Sequence, residues 1–275
     1  MMQQLRTDLE LADREAIATY LQSEFPFVED SGELSPHVGG RTAGLVRLQS
    51  FRLEKYGKQR NFLDGEVSQL SPYVSRGCLE LEELRQWALK QSRSKSVEAF
   101  VSELAWRAFF HLVYEEEGDR ILKDMEKPKV PMNQHQRSLP EDIAAGTTGI
   151  PSMDTLIHML KETGYLHNHA RMYLASYVVH FRKVSWRAGA DWMYSLLIDG
   201  DFASNHLSWQ WVASTFSTKP YIFNRENLER YAGSLLPGDP KQGDPFNYSY
   251  EELAERLFEG AYMPEPSGRS PGQYQ

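Results

Sequence analysis

The sequence predicts an all-α, multi-helical fold. Three observations carry the prediction. Apolar residues recur at helical spacing along most of the 275 residues. Strand-like alternation with β-branched residues is nearly absent. The periodic segments are bounded by Pro, Gly and cap-type residues. A first helix is expected over 8–22, where Leu9, Leu11, Ala12, Ile17, Ala18 and Leu21 fall near helical spacing and Pro26 lies beyond the end. After the turn Ser35-Pro-His-Val-Gly-Gly40, a second helix is expected over 41–56. Ser71-Pro72 reads as a helix start with proline in the first turn. Helices are expected next over 79–91 and 96–117. The latter carries the clearest apolar stripe: Phe100, Leu104, Phe109, Leu112 and Val113. On it Glu103 and Arg107 stand at i, i+4, placed to pair on one face. Residues 118–149 are loop-rich, with Pro128, Pro131, Pro140 and Gly146. Helices resume over 152–162, 168–183 and 189–197. From Pro237 the composition shifts to Pro, Gly and Asp, interrupted by a helix over 250–258, and 263–275 reads as disordered. The expected organisation is a helical N-terminal extension (1–39), a helical domain (40–235) and a Pro/Gly-rich tail with one short helix (236–275).

Composition excludes several classes of function. A hydrophobic fraction of 41% and a charged fraction of 25% belong to an ordinary globular protein. No stretch is apolar enough to cross a bilayer, and the first residues do not form a signal peptide, so a cytoplasmic location is expected. Cys78 is the single cysteine, which excludes an internal disulfide framework and a multi-thiolate metal site. A net charge of -8 argues against a general DNA binder, because non-specific binding is mostly phosphate neutralisation. It leaves room for a local basic groove. Arg41, Arg47, Arg52, Lys55, Lys58 and Arg60 form one cluster and Arg182, Lys183 and Arg187 another; each lines a groove or is a solvated helix face. There is no Rossmann glycine motif, phosphate-loop lysine or nucleophile elbow. His167 and His169 point to different faces of a helix and lack a third ligand, so no metal site is expected. Asp199 and Asp201 alone are a weak signal for Mg²⁺.

The densest chemistry lies in Asp199-Gly-Asp-Phe-Ala-Ser-Asn205-His-Leu-Ser-Trp209-Gln-Trp211. Its carboxylates accept hydrogen bonds or hold arginines, and its indoles pack, stack on a base or relay an electron. Arg107, Asn168 and Arg171 stand among apolar residues elsewhere. A buried arginine needs a partner, either within the chain, Arg107 with Glu103 or Arg171 with Asp199, or in a ligand site.

These motifs belong to an ordered series: Leu70-Ser-Pro-Tyr-Val74 with Gly77, Glu103-Leu-Ala-Trp-Arg107 with Phe109, Thr148-Gly-Ile-Pro151 with Asp154, Gly164-Tyr-Leu-His-Asn168 with Arg171-Met172, Trp186 with Gly189, the run from Asp199 to Trp211, and Tyr221-Ile-Phe-Asn224. The series resembles the FAD-binding domain of the photolyase/cryptochrome family over roughly residues 40–231. The resemblance implies an all-helical domain that holds a bent FAD. Tyr56 and the turn Ser68-Gln69-Leu70-Ser71 would contact its diphosphate and ribitol side. Glu103, Arg107, Asn168 and Arg171 would lie by the cofactor, with Arg171 paired to Asp199. Asp201 would hydrogen-bond the polar edge of the rings, and Asn205 would face flavin N5. Glu103 and Asn205 would also take part in the chemistry, with Trp209 and Trp186 as inner members of the tryptophan chain that photoreduces the flavin. Trp106 and Trp211 would embrace the lesion, joined on the substrate side by Arg60 and His169.

The resemblance implies light-driven electron transfer from reduced flavin to a flipped cyclobutane pyrimidine dimer, the activity of a deoxyribodipyrimidine photo-lyase, with damaged DNA as partner. A cryptochrome-like blue-light sensor or flavin redox protein is the alternative, with a protein partner that receives a signal or supplies an antenna. No membrane partner is expected. The sequence departs from the family pattern in several ways. The opening residues do not encode the usual antenna domain, so the FAD-binding domain is expected to stand alone. Counting back from Pro151 places the outer tryptophan within 132–135, where none occurs. The family's His-Asn-Arg reads His167-Asn168-His169, its Trp-Arg-Glu-Phe reads Trp106-Arg-Ala-Phe109, and Arg225 replaces the proline after Asn224.

Overall fold

A computed structural model describes residues 14–27, 35–91, 94–238 and 243–259. The chain divides into two units, Met1–Val38 and Gly39–Gln275. In the first, helix α1 (Arg14–Glu24) has no buried residue, and the Arg14 guanidinium donates to the Ser35 carbonyl at 2.7 Å. The expected positions Leu9, Leu11 and Ala12 lie outside the described residues, as does the stretch 263–275.

The second unit is helical. Among its described residues there is no strand, only an isolated parallel bridge between Gln136 and Val184. No helix is long and apolar enough to cross a membrane among the described residues. The expected helix over 41–56 is two helices, α2 (Arg41–Ser50) and α3 (Leu53–Gln59). Phe51 turns extended between them, and Glu66 accepts from both the freed Arg52 amide (3.2 Å) and the Arg52 guanidinium (2.8 Å). A charged acceptor thus satisfies the backbone group that the break exposes. Next come the single turn α4 (Ser71–Ser75), α5 (Leu81–Gln91) and α6 (Lys95–Glu117), capped by Ser94. Gly57 lets α3 lie directly on α6: a Cβ there would stand 2.9 Å from Ser96 Oγ.

Helix α6 does not bury the whole stripe its sequence offers. Phe100 is core, whereas Phe109 (42% exposed) and Leu112 (63%) face outward beside Trp106 (46%). The long helix starts inside the fold and ends on its surface. Beyond a 3-10 turn over Gly118–Leu122 and the short α7 (Glu141–Ala145), α8 (Pro151–Thr163) and α9 (Asn168–Ser176) follow. The helix expected over 168–183 changes to a π turn at Tyr177–Phe181. Helix α10 (Trp186–Leu196) lies against α11 (Phe202–Ala213), then α12 (Arg225–Ala232) and α13 (Tyr250–Phe258) follow. One apolar core forms around α8 to α12, with Leu156, Ile157, Tyr173 and Phe223 fully buried. A second gathers Phe51, Leu53, Tyr56, Leu84 and Phe100 from α2 to α6.

The segment 243–259 is part of this unit rather than a separate tail. Phe246 and Phe258 are buried, and Leu253, Ala254 and Phe258 pack with Val130 and Ile222. Arg225, which stands where the resemblance led one to expect proline, is the anchor. Its backbone N–H donates to the Phe246 carbonyl (2.8 Å) and its guanidinium pairs with buried Asp244 (2.7 Å). Proline offers neither bond. Replacing Asp244 by Ala leaves the Arg225 charge without this partner, and an expected loss of about 3–5 kcal/mol in folding stability is measurable by urea unfolding.

Candidate functional site

Between the two cores lies a cavity of about 370 Å³. It falls within the roughly 300–1,000 Å³ usual for small-molecule sites. Its walls come from α3, the turn before α4, α4, α6, α9, α10 and α11. Residues scattered from 56 to 211 meet there: Tyr56, Arg60, Ser68, Gln69, Leu70, Ser71, Glu103, Trp106, Arg107, Asn168, His169, Arg171, Asp199, Asp201, Asn205, Trp209 and Trp211 all line this cavity. Trp186 does not. It sits behind the wall, in the same core as Trp209.

The floor is an ion-pair network. Asp199 is 3% exposed, and its Oδ2 accepts from Arg171 Nη2 (2.7 Å) and the Ser71 hydroxyl (2.6 Å). Its backbone carbonyl accepts from the Ser75 hydroxyl (2.8 Å), and Arg76 donates to the Ile198 carbonyl (3.1 Å). These bonds tie α4 to the loop that leads into α11. Burial pushes the Arg171 guanidinium down, and the Asp199 carboxylate more than offsets this, leaving it above its ordinary value. Asp199 Oδ1 is buried and has no hydrogen-bond partner among the described residues. A buried carboxylate oxygen without a donor is costly, so its presence on a cavity wall points to a ligand donor.

Arg107 pairs with Asp201 (2.8 Å) and not with Glu103, its i, i+4 neighbour. It also donates to Ser75 Oγ (3.1 Å). Glu103 pairs instead with Arg60 (2.5 Å), whose guanidinium lies over the Tyr56 ring. The surface pairing rule fails here because both side chains turn into the cavity, where α3 and the start of α11 offer partners. Asp201 caps α11 by accepting from the Ser204 amide (2.8 Å) and also meets His111 Nε2 (2.7 Å). Burial raises the Asp201 carboxyl, but Arg107 and the bonds from Ser204 outweigh it and hold the group below its usual range. Ser75 and His111 were missed by the sequence reading. Each stands four residues after a selected position, Ser71 and Arg107, and that spacing was the available signal.

Tyr56 is buried, which pushes its phenol well up. Gln69 takes a left-handed backbone conformation (φ 53°), and Arg47, a member of the first basic cluster, fixes this turn by donating to the carbonyls of Val67 (2.8 Å) and Ser68 (2.7 Å). Asn205 is oriented by a bond from its Nδ2 to the Ala190 carbonyl (2.9 Å). Asn168 contributes the first residue of α9. Trp209 is buried with its six-membered ring against Gly189, where a Cβ would come within 2.3 Å of it. Gly189 is one turn after Trp186, so the two indoles share one side of α10. At the rim, Trp106 packs with Phe109 (5.7 Å) and Phe110 (5.8 Å), and Trp211 lies on Tyr221 (5.9 Å).

His169 lines the cavity from inside the core. It is 8% exposed, packed on Tyr173 (4.9 Å) and Tyr231 (5.1 Å), and burial pushes it down to about 4. The imidazole is therefore neutral at neutral pH and lines the cavity as a polar, uncharged group. His167 accepts from the His169 amide through Nδ1 (3.0 Å) and is likewise held down to about 4, chiefly by burial.

The family described as the FAD binding domain of DNA photolyase matches residues 100–231. A deoxyribodipyrimidine photo-lyase from Streptomyces griseus is 34% identical over 245 residues, covering 85% of this chain and 50% of the relative. A cryptochrome DASH from Synechocystis sp. is 32% identical over 220 residues, covering 75% of this chain and 43% of that one. The chain thus spans about half the length of these curated relatives. Among solved structures, an archaeal photolyase from Sulfolobus tokodaii with two FAD molecules aligns with a TM-score of 0.60 at 28% identity, covering 73% of this chain and 46% of that one.

Replacing Asp199 by Ala leaves the Arg171 charge buried without its partner. An expected loss of about 3–5 kcal/mol in stability, read by urea unfolding without added ligand, checks the placement of this pair.

Proposed function

The chain belongs to the photolyase/cryptochrome family through its FAD-binding part, and from that premise we propose that it holds FAD in this cavity and drives light-dependent repair of cyclobutane pyrimidine dimers in DNA. The observation that carries the proposal is the placement of Trp106 and Trp211 on the rim of the cavity that Asp199 and Asn205 also line. Two indoles over a cofactor cleft suit a base pair taken out of the duplex, because aromatic faces replace the stacking it loses. The residues fit FAD on the chain's own terms: the cavity has donors in Arg107, Arg171 and the Gln69 and Asn205 amides, and a buried acceptor, Asp199 Oδ1, that lacks a donor.

Bound there, FAD supplies a light-excitable centre that gives or takes single electrons. The chain does the rest. Tyr56, Arg60 and the turn from Ser68 to Ser71 wall the side suited to an anionic diphosphate, and Arg47 fixes that turn. Arg171 and Asp199 fix the adjoining wall through Ser71, and Asn205, which lines the same cavity, would offer its amide to the bound flavin. Trp106 and Trp211 hold the lesion and exclude water from it. The dimer would accept one electron from the bound flavin, and its two inter-base bonds would break before the electron is returned. Trp209, on the cavity wall, and Trp186 behind it are the indoles that would supply electrons to the bound cofactor.

A second reading is supported by the neutral His169 and the net charge of -8, which leave less cation for DNA phosphate. On it the protein is a blue-light sensor. Illuminating the reduced protein with a dimer-containing oligonucleotide separates the two. The expected outcome is light-dependent loss of dimers, with Trp106→Ala and Trp211→Ala each weakening lesion binding by about 1–3 kcal/mol. No loss of dimers from protein with FAD bound contradicts repair, and a light-dependent change in self-association or partner binding then selects the sensor.

A further inference from the structure

Trp186 is 4% exposed, yet its indole N–H reaches a carboxylate at the surface: Nε1 donates to Oδ1 of exposed Asp124 at 2.7 Å. The segment carrying Asp124 is clamped on both sides by the helices that bear the two buried indoles. Arg187 of α10 donates to the Leu122 carbonyl (3.3 Å). Gln210 of α11 donates to the Ile121 carbonyl (2.8 Å) and accepts from the Met125 amide (2.9 Å). The place where an outer tryptophan was expected is also adjacent: the Gln136 carbonyl accepts from the Ser185 amide (2.8 Å), next to Trp186, and His135 bonds to Val179. Among residues 132–136 no side chain is an oxidisable aromatic. The path of indoles therefore does not continue outward through 132–136, and what the Trp186 N–H meets on that side is a base, Asp124.

We propose that Asp124 is the proton acceptor that terminates electron flow from Trp186, an inference that rests on the cavity being the FAD site. The oxidant is light-excited, oxidised FAD. One electron leaves Trp209 for it, and Trp186 refills Trp209. An indole that has lost an electron is a far stronger acid than neutral indole. Its Nε1–H bond breaks, an O–H bond forms on Asp124, and the proton leaves through the exposed carboxyl to water. The neutral indolyl radical left on Trp186 takes the electron back only with a proton, so the charge separation lasts without a third indole. The geometry meets the first requirement of a general base, hydrogen-bond reach of the proton it takes.

A buried indole N–H satisfied by an acceptor is also the ordinary structural arrangement. Asp124→Asn separates the two roles, because Asn keeps an acceptor oxygen but not the basicity. Flash spectroscopy of the FAD-loaded, oxidised protein is expected to record a neutral tryptophan radical in the native chain. In Asp124→Asn it is expected to record a persisting radical cation and a lower yield of long-lived reduced flavin. Equal formation of the neutral radical in Asp124→Asn overturns the proposal, as does undiminished flavin photoreduction in Trp186→Phe. Independently of flavin, the indole N–H resonance of Trp186 in the flavin-free protein, assigned by its loss in Trp186→Phe, is expected to shift in Asp124→Ala; no shift means the bond is absent and also overturns it. A chain that takes up no FAD fails the underlying reading, while the indole resonance still reports on the pair.

Discussion

The bond between Arg171 and Asp199 is the constraint on which the rest of the site depends. Two charges taken from water repay their desolvation only when geometry is good and other bonds complete the set. Here Ser71 supplies the second bond to Asp199 Oδ2, and Ser75 holds the backbone of the same residue. The pair thereby joins α9, α4 and the loop into α11. Those elements bring Ser71, Asn168, Arg171, Asp199 and Asp201 to the wall of the cavity, and Arg107 extends the network to α6 through Ser75 and Asp201. The cavity persists because its wall is wired by ion pairs instead of being filled by side chains. One oxygen, Asp199 Oδ1, is left over.

Helices with one buried face were legible from spacing. The helix expected over 250–258 lies at Tyr250–Phe258, and the one over 152–162 extends by a residue at each end. Helix α11 had no such signal: Ala203, His206, Leu207, Trp209, Gln210 and Val212 are all buried, so no face stands out as polar. The break at Phe51 was hidden because Glu66, which satisfies the freed Arg52 amide, is fourteen positions from Arg52. The exposed half of α6 was misread for a different reason. Its apolar residues form an aromatic rim, with Phe109 stacked on Phe216 at 6.2 Å, and periodicity does not distinguish a rim from a core.

The site was legible as an ordered series of motifs and not from periodicity. Chemistry within the chain gave only the need for partners. Arg171 took the partner expected for it, whereas Arg107 and Glu103 exchanged each other for Asp201 and Arg60. Two departures from the family pattern have physical consequences. Arg225 binds the segment around Asp244 and Phe246, which proline would not, and His169 puts a neutral imidazole on the cavity wall where the family pattern has an arginine.

The central claim is that a wall held open by the Asp199 network is a flavin site. Absorbance and flavin release from the purified chain, after reconstitution with FAD, test it most directly. The account predicts a yellow protein with stoichiometric, non-covalently held FAD. A folded chain that stays colourless after reconstitution contradicts it.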